Sequence, residues 1–86
     1  MMARKFGFTL EVDIHGMRAR EAKEQLTILL NQADKSIHEI RVVHGYHQGK
    51  ALQQMVRTEL KHPRIKRKLL SLNNGETILE LTQWAP

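Results

Sequence analysis

Three side chains in this 86-residue chain have the types and spacing for acid–base chemistry. Asp13 and His15 stand two apart in Glu11-Val12-Asp13-Ile14-His15-Gly16. His44 ends a second β-branched run, Arg41-Val42-Val43-His44-Gly45. A carboxylate beside an imidazole fixes the ring's tautomer and raises its basicity. A second imidazole nearby would complete the pair that phosphodiester cleavage uses, a base for the nucleophile and an acid for the leaving oxygen. Groups suited to an anion surround them. Gly45 and Gly49 let backbone N–H groups approach a phosphate, and Gly16 stands at the matching first corner. The helix predicted after Gly49 adds the positive end of its dipole. Lys50 on its first turn could neutralise a phosphate, and Arg18 and Arg20 flank the first corner. Tyr46 could stack a base. The same residues could instead hold a divalent ion, magnesium or manganese, with Asp13 as the hard oxygen ligand. One clear carboxylate makes that metal site poor, so His-based acid–base chemistry ranks above it.

Each of these residues also has a plainer reading. Asp13 and His15 could be a surface pair that ends a strand. His44 shares parity with Ile40 and Val42, which would turn it beneath the helices to bond a backbone group; a strand end beside Gly45 can twist it out again. Short glycine loops before helices are common. The run Arg64, Lys66, Arg67 and Lys68 is either a solvated basic face or a stripe that tracks phosphates. His38 and His47 read as solvated, His62 as a helix end, and Met17 and Met55 as core. Trp84 is a lid on the sheet edge or a stacking ring.

The elements that must position the corners follow from periodicity. Phe8 to His15 alternates, with Leu10, Val12 and Ile14 on one face and Thr9, Glu11, Asp13 and His15 on the other, as in a strand covered on one side. Arg20 to Ala33 carries an apolar stripe of Ala22, Leu26, Leu29, Leu30 and Ala33, but Arg18 sits where a capping side chain belongs. Glu39 to His44 is the second strand. Lys50 to Lys61 is the second helix, with Leu52, Met55, Val56 and Leu60 buried, and His62-Pro63 stops it. Leu69 to Leu72 is a third strand whose start falls somewhere in Arg64–Lys68. Asn73-Asn74-Gly75 is a turn of the kind that tolerates positive φ, and Thr77 to Thr82 is the fourth strand. The order β-α-β-α-β-β predicts a two-layer α/β sandwich: a four-stranded mixed sheet with two helices on one face and the other face open. Strands one and two run parallel, so both His-Gly corners share one edge, where ligands bind in such sheets. Residues 8–82 form one domain between tails at 1–7 and 83–86.

Composition narrows the partner. The 14 Lys+Arg outnumber the 9 Asp+Glu for a net charge of +5, which favours a polyanion, nucleic acid first. There is no cysteine, so there is no disulfide framework or thiolate metal site. No apolar run approaches the roughly 18 residues of a membrane span, and Arg4-Lys5 is not followed by a signal-like apolar segment. The expectation is a cytoplasmic protein without a membrane partner, a monomer or weak homodimer.

In their order and spacing the two corners resemble the Smr (small MutS-related) domain. That family is marked by a Leu-Asp-x-His-Gly strand end and a His-Gly-x-Gly loop leading into a helix. Here the first reads Val12-Asp13-Ile14-His15-Gly16, and the following helix opens Arg20-Glu21-Ala22. In the second, His44, Gly45, Gly49 and Leu52 match, and His47 takes the place of the middle glycine. His62-Pro63-Arg64-Ile65 is similar to the family's His-Pro-x-Val segment. The resemblance runs from about Leu10 to Leu81. It implies a fold like the C-terminal domain of bacterial translation initiation factor three. It also implies endonuclease activity, nicking DNA or cutting RNA, in DNA repair or recombination or at the ribosome. The site it implies is Asp13, His15, His44, Gly45 and Gly49; the departure at His47 removes a glycine from the phosphate cradle, and either that ring lends a donor in its place or the loop loses one. The alternative is a module of the same fold that binds nucleic acid or the ribosome without cutting; a protein–protein adaptor is the third reading.

Overall fold

The alternation of Leu10, Val12 and Ile14 against Thr9, Glu11 and Asp13 produces β2 (Thr9–Asp13), whose odd positions are half-exposed while Val12 is fully buried. β3 (Glu39–Val43) pairs with it in parallel, with Asp13 opposite Val43. The computed structural model describes residues 1–46 and 50–83. His47, Gly49 and Trp84, which the sequence placed at the glycine loop and the sheet edge, lie outside the described residues. α1 (Ala19–Gln32) crosses from β2 to β3 and buries Ala22, Leu26 and Leu30. Arg18 does cap it without a side-chain hydrogen bond. α2 (Ala51–Gln54) runs directly into a π-wound turn, Met55–Glu59, closed by the Leu60 N–H on the Met55 carbonyl at 2.8 Å. Met55, Val56 and Leu60 are buried as their spacing predicted. β4 (Ile65–Leu70) and β5 (Glu76–Leu81) form the closing antiparallel hairpin, and β5 pairs with β3.

Among the described residues the sheet has five strands, not four, in the order β1-β2-β3-β5-β4. The extra strand, β1 (Met2–Phe6), pairs antiparallel with β2 over residues expected to be a tail. Gly7, at φ 59°, supplies the left-handed first position of a two-residue hairpin loop, Gly7-Phe8. Phe8 therefore lies in the turn rather than in the strand. All five β1 residues are exposed, so no period-2 pattern marks the strand in the sequence. The turn before β5 also differs from expectation. Neither Asn74 nor Gly75 has positive φ. Instead the Gly75 N–H donates to Asn73 Oδ1 at 2.8 Å and the Glu76 N–H to the Asn73 carbonyl at 3.1 Å. An Asn side chain that imitates a backbone turn makes the left-handed step unnecessary.

Both helices cover one face of the sheet. Val12, Ile14, Ile40, Val42, Leu79 and Leu81 meet the helix stripes there in one core. Thr9, Glu11, Asp13, Glu39, Arg41, Val43, Ile78 and Glu80 line the opposite face half-exposed. Two residues of the basic run turn out to hold this arrangement together. Arg64 is 1% exposed. Its guanidinium donates to the carbonyls of Ala33, of Asp34 at 2.6 Å and of Ile37 at 3.3 Å, just past the end of α1. Helix C-termini leave carbonyls without partners and carry partial negative charge, and a planar five-donor cation meets both needs. Lys68 reaches the carbonyls of Leu60 at 2.5 Å and Arg57 at 3.4 Å, at the end of the second helix. Burial, with Lys61 nearby, pushes its pKa down. Both side chains, expected along a phosphate stripe, spend donors on backbone carbonyls within the fold. Lys66 and Arg67 are exposed and both face Glu80, at 3.7 and 3.2 Å.

Candidate active site

β2 ends in a tight local arrangement. Asp13 Oδ1 accepts the His15 backbone N–H at 3.0 Å and the His15 ring Nδ1–H at 2.5 Å. One carboxylate oxygen thus fixes both the backbone and the ring of the residue two places on. Partial burial pushes the Asp13 carboxyl up, but the His15 ring and backbone N–H bonds and the neighbouring positive charges outweigh it and hold it below its usual value. An ionised Asp13 orients the imidazole with Nε2 outward, and the His15 side chain is 71% exposed. Gly16 then turns the chain at φ 81°, and the Met17 N–H closes on the Ile14 carbonyl at 3.1 Å. A positive φ there would strain any residue with a Cβ.

The second corner does come to the first. A Cβ placed on Gly45 would stand 3.8 Å from His15 Cβ. Gly75, which the sequence reading treated only as a turn residue, is the third member. A Cβ on it would stand 3.3 Å from Gly45 Cα and 3.5 Å from the Tyr46 ring. The Gly75 carbonyl accepts the N–H groups of His44 at 2.8 Å and Gly45 at 3.0 Å. The Gly45 N–H, expected to face an anion, is therefore already bonded within the fold. Arg18, Arg20 and Lys50 are exposed beside the two corners, and Tyr46 is 46% exposed.

His44 takes the buried option that its parity allowed. It is 3% exposed, on the helix side with Ile40 and Val42. Its Nδ1 bonds the Gly45 carbonyl at 2.8 Å and its Nε2 bonds Thr77 Oγ1 at 2.8 Å. Thr77 Oγ1 also accepts Arg57 Nε–H at 2.9 Å, and Arg57 Nη2 donates to the Glu76 carbonyl at 3.2 Å. A carbonyl can only accept, so Nδ1 carries a proton. Oγ1 receives Arg57, so its own proton is free for Nε2. The chain Arg57→Thr77→His44→Gly45 is satisfied with the ring neutral. Burial pushes the His44 pKa down, the Gly45 carbonyl pulls it back, and Arg57 against Glu76 leaves it lowered. The ring that was to join Asp13 and His15 over one phosphate instead holds the second corner from beneath.

A family model of the Smr domain matches residues 12–76, three quarters of the chain. The chain belongs to the Smr domain family. The crystal structure of the Smr domain of Thermus thermophilus MutS2 superimposes with a TM-score of 0.73 at 26% identity, covering 84% of this chain and 96% of that one. No curated protein sequence matches it. The matched span begins at Val12, so β1 and the start of β2 lie outside the part of this Smr domain that the family model describes.

Within this Smr domain Asp13, His15, Gly16, Gly45 and Tyr46 come to one edge; Arg18, Arg20 and Lys50 are exposed and follow the two corners in the chain. The basic run is not part of that group. Arg67 pairs across the sheet in the row Thr9–Glu39–Glu80, at the end of the strands away from Asp13. Arg57, Thr77 and Gly75 were missed. Thr77 had a signal, since it shares parity with Leu79 and Leu81; Gly75 and Arg57 had none. Among the described residues no group of three His, Asp or Glu side chains is placed to hold a metal ion. Among the described residues the donors at Asp13 are one carboxylate, with one oxygen already engaged, and the His15 ring, a set that does not suit a hard divalent cation. No described helix is long and apolar enough to cross a membrane.

Proposed function

We propose that this Smr domain is a nucleic-acid endonuclease in which His15 is the proton-transfer group and Asp13 its orienting partner. The observation that supports the reading best is the doubly bonded Asp13 Oδ1, which commits Nδ1 of His15 and leaves Nε2 to a substrate. Nε2 takes the proton of the attacking hydroxyl or water as the new P–O bond forms; the leaving oxygen is protonated from solvent. His44 is a positioning residue, because both of its nitrogens are occupied. Arg18, Arg20 and Lys50 supply the charge that holds the phosphodiester at the edge. Smr domains generally bind nucleic acid, and the net charge of +5 agrees with that partner. Incubation of the purified protein with supercoiled plasmid and a structured RNA, beside Asp13→Ala, tests the reading. Nicked or cut product from the parent and at least a hundred-fold less from Asp13→Ala supports it; undiminished cutting by Asp13→Ala overturns it.

One observation favours a second reading, a binding module without chemistry. The second corner offers neither a free imidazole nor a free Gly45 N–H among the described residues. Such a module would bind with an affinity that falls log-linearly as salt rises, and would give no product.

A further inference from the structure

The described aromatic side chains lie outside the core. Phe6 is 52% exposed, Phe8 60% and Tyr46 46%, and among the described residues every buried apolar one is aliphatic or Met. Both phenylalanines sit on the β1–β2 hairpin, outside the span that the family model matches. Neither ring is loose. Phe8 stacks on His38 with centroids 4.5 Å apart and planes 8° from parallel. The backbone ties the pair, since the His38 N–H donates to the Phe8 carbonyl at 2.8 Å. The Arg4 guanidinium lies 5.2 Å from the Phe6 ring centroid. Exposed phenylalanine is costly in water unless something covers it, and rings held flat with cations beside them are what a base needs.

Their placement relative to the site is specific. Met2 pairs with Asp13, Arg4 with Glu11 and Phe6 with Thr9, so Arg4 and Phe6 continue the open face that carries Asp13. From His15 back to Thr9 is six residues, about 20 Å of strand. We infer that the β1–β2 hairpin is a stacking platform for single-stranded nucleic acid, which leads a strand along the open face to His15. The inference rests on the reading that this domain works on nucleic acid, and it adds the strandedness and the route. Bases lie on Phe6 and on the Phe8–His38 pair. The phosphates run on the outer side, along Arg4 of the edge strand, because Glu39 stands beside Thr9 on the inner side. A duplex hides its base faces and gains nothing from these rings.

The test is fluorescence anisotropy with a labelled 12-nucleotide oligothymidylate or oligouridylate, and with a duplex of equal length, on the parent and on Phe6→Ser/Phe8→Ser. Both rings are exposed, so the double variant should melt within a few degrees of the parent. The expected result is a loss of ten-fold or more on the single strand, the scale of one or two lost base stacks, with duplex affinity within two-fold. Unchanged single-strand affinity overturns the inference, as does an equal loss on the duplex. A double variant that keeps its affinity but loses self-association in sedimentation would make the rings a protein contact instead. Cleavage by the parent that persists while only the platform result fails sinks the inference and leaves the Asp13–His15 reading standing. A parent that neither binds nor cuts nucleic acid sinks both.

Discussion

Arg64→Ala separates the two roles that a basic residue in this run can have. If Arg64 were a phosphate contact, its removal would weaken nucleic-acid binding and leave stability alone. The structure gives the opposite. Its guanidinium donates to the carbonyls of Ala33, Asp34 and Ile37, with a longer contact to Thr82 at 3.5 Å, and the residue is 1% exposed. Hydrogen bonds from a charged donor contribute about 1.5–3 kcal/mol each, but water can enter the space that alanine leaves and rescue part of the loss. The net cost expected is about 3–4 kcal/mol, a large share of the roughly 5–15 kcal/mol that holds such a domain folded. At about 4–8 °C per kcal/mol for this size, the melting temperature should fall by roughly 12–30 °C. Arg64→Lys should lose about half as much, because one ammonium cannot span three carbonyls. Urea and thermal unfolding followed by far-ultraviolet circular dichroism measure both. A midpoint within two degrees of the parent, together with weakened nucleic-acid binding, would refute the reasoning and restore Arg64 to the phosphate stripe.

The remaining predictions concern the buried chain beneath the second corner. Thr77→Val removes the hydroxyl between Arg57 and His44 and should cost about 2–3 kcal/mol by urea unfolding, since it leaves a buried ring nitrogen and a guanidinium N–H without partners. The folded-state pKa of His44 is lowered, so below about pH 6.5 the unfolded chain takes up a proton that the folded one refuses. Stability should therefore be flat above pH 7 and fall as the pH drops towards 5. His44→Gln should flatten part of that slope; the rest belongs to His62, which burial and Arg64 shift the same way.

Legibility in the sequence followed burial. β2, β3 and both helices had one face to hide, so alternation and the three–four spacing of Leu26, Leu30, Met55 and Val56 marked them. β1 hides nothing, and its only local sign was a glycine. The Asp13–His15 pair was legible because positions two apart on a strand must share a face. His44 was legible as a choice between two orientations, and its parity with Ile40 and Val42 pointed to the buried one. Arg64 was not legible, since a guanidinium among four basic neighbours reads the same whether it meets water or the end of a helix 30 residues earlier. The local irregularity between Ile65 and Arg67 also breaks the alternation that would have sorted the run into two faces. Gly75 escaped for a similar reason. What constrains it is the Cα of Gly45, a contact between distant segments that no local pattern encodes.

The central claim is that His15 moves the proton and Asp13 only aims it. Single-turnover cleavage by His15→Gln, with binding of the same substrate measured in parallel, tests this most directly. Loss of at least a hundred-fold in the cleavage rate with affinity kept within about two-fold is the predicted result. Cleavage at the parental rate by His15→Gln would contradict it.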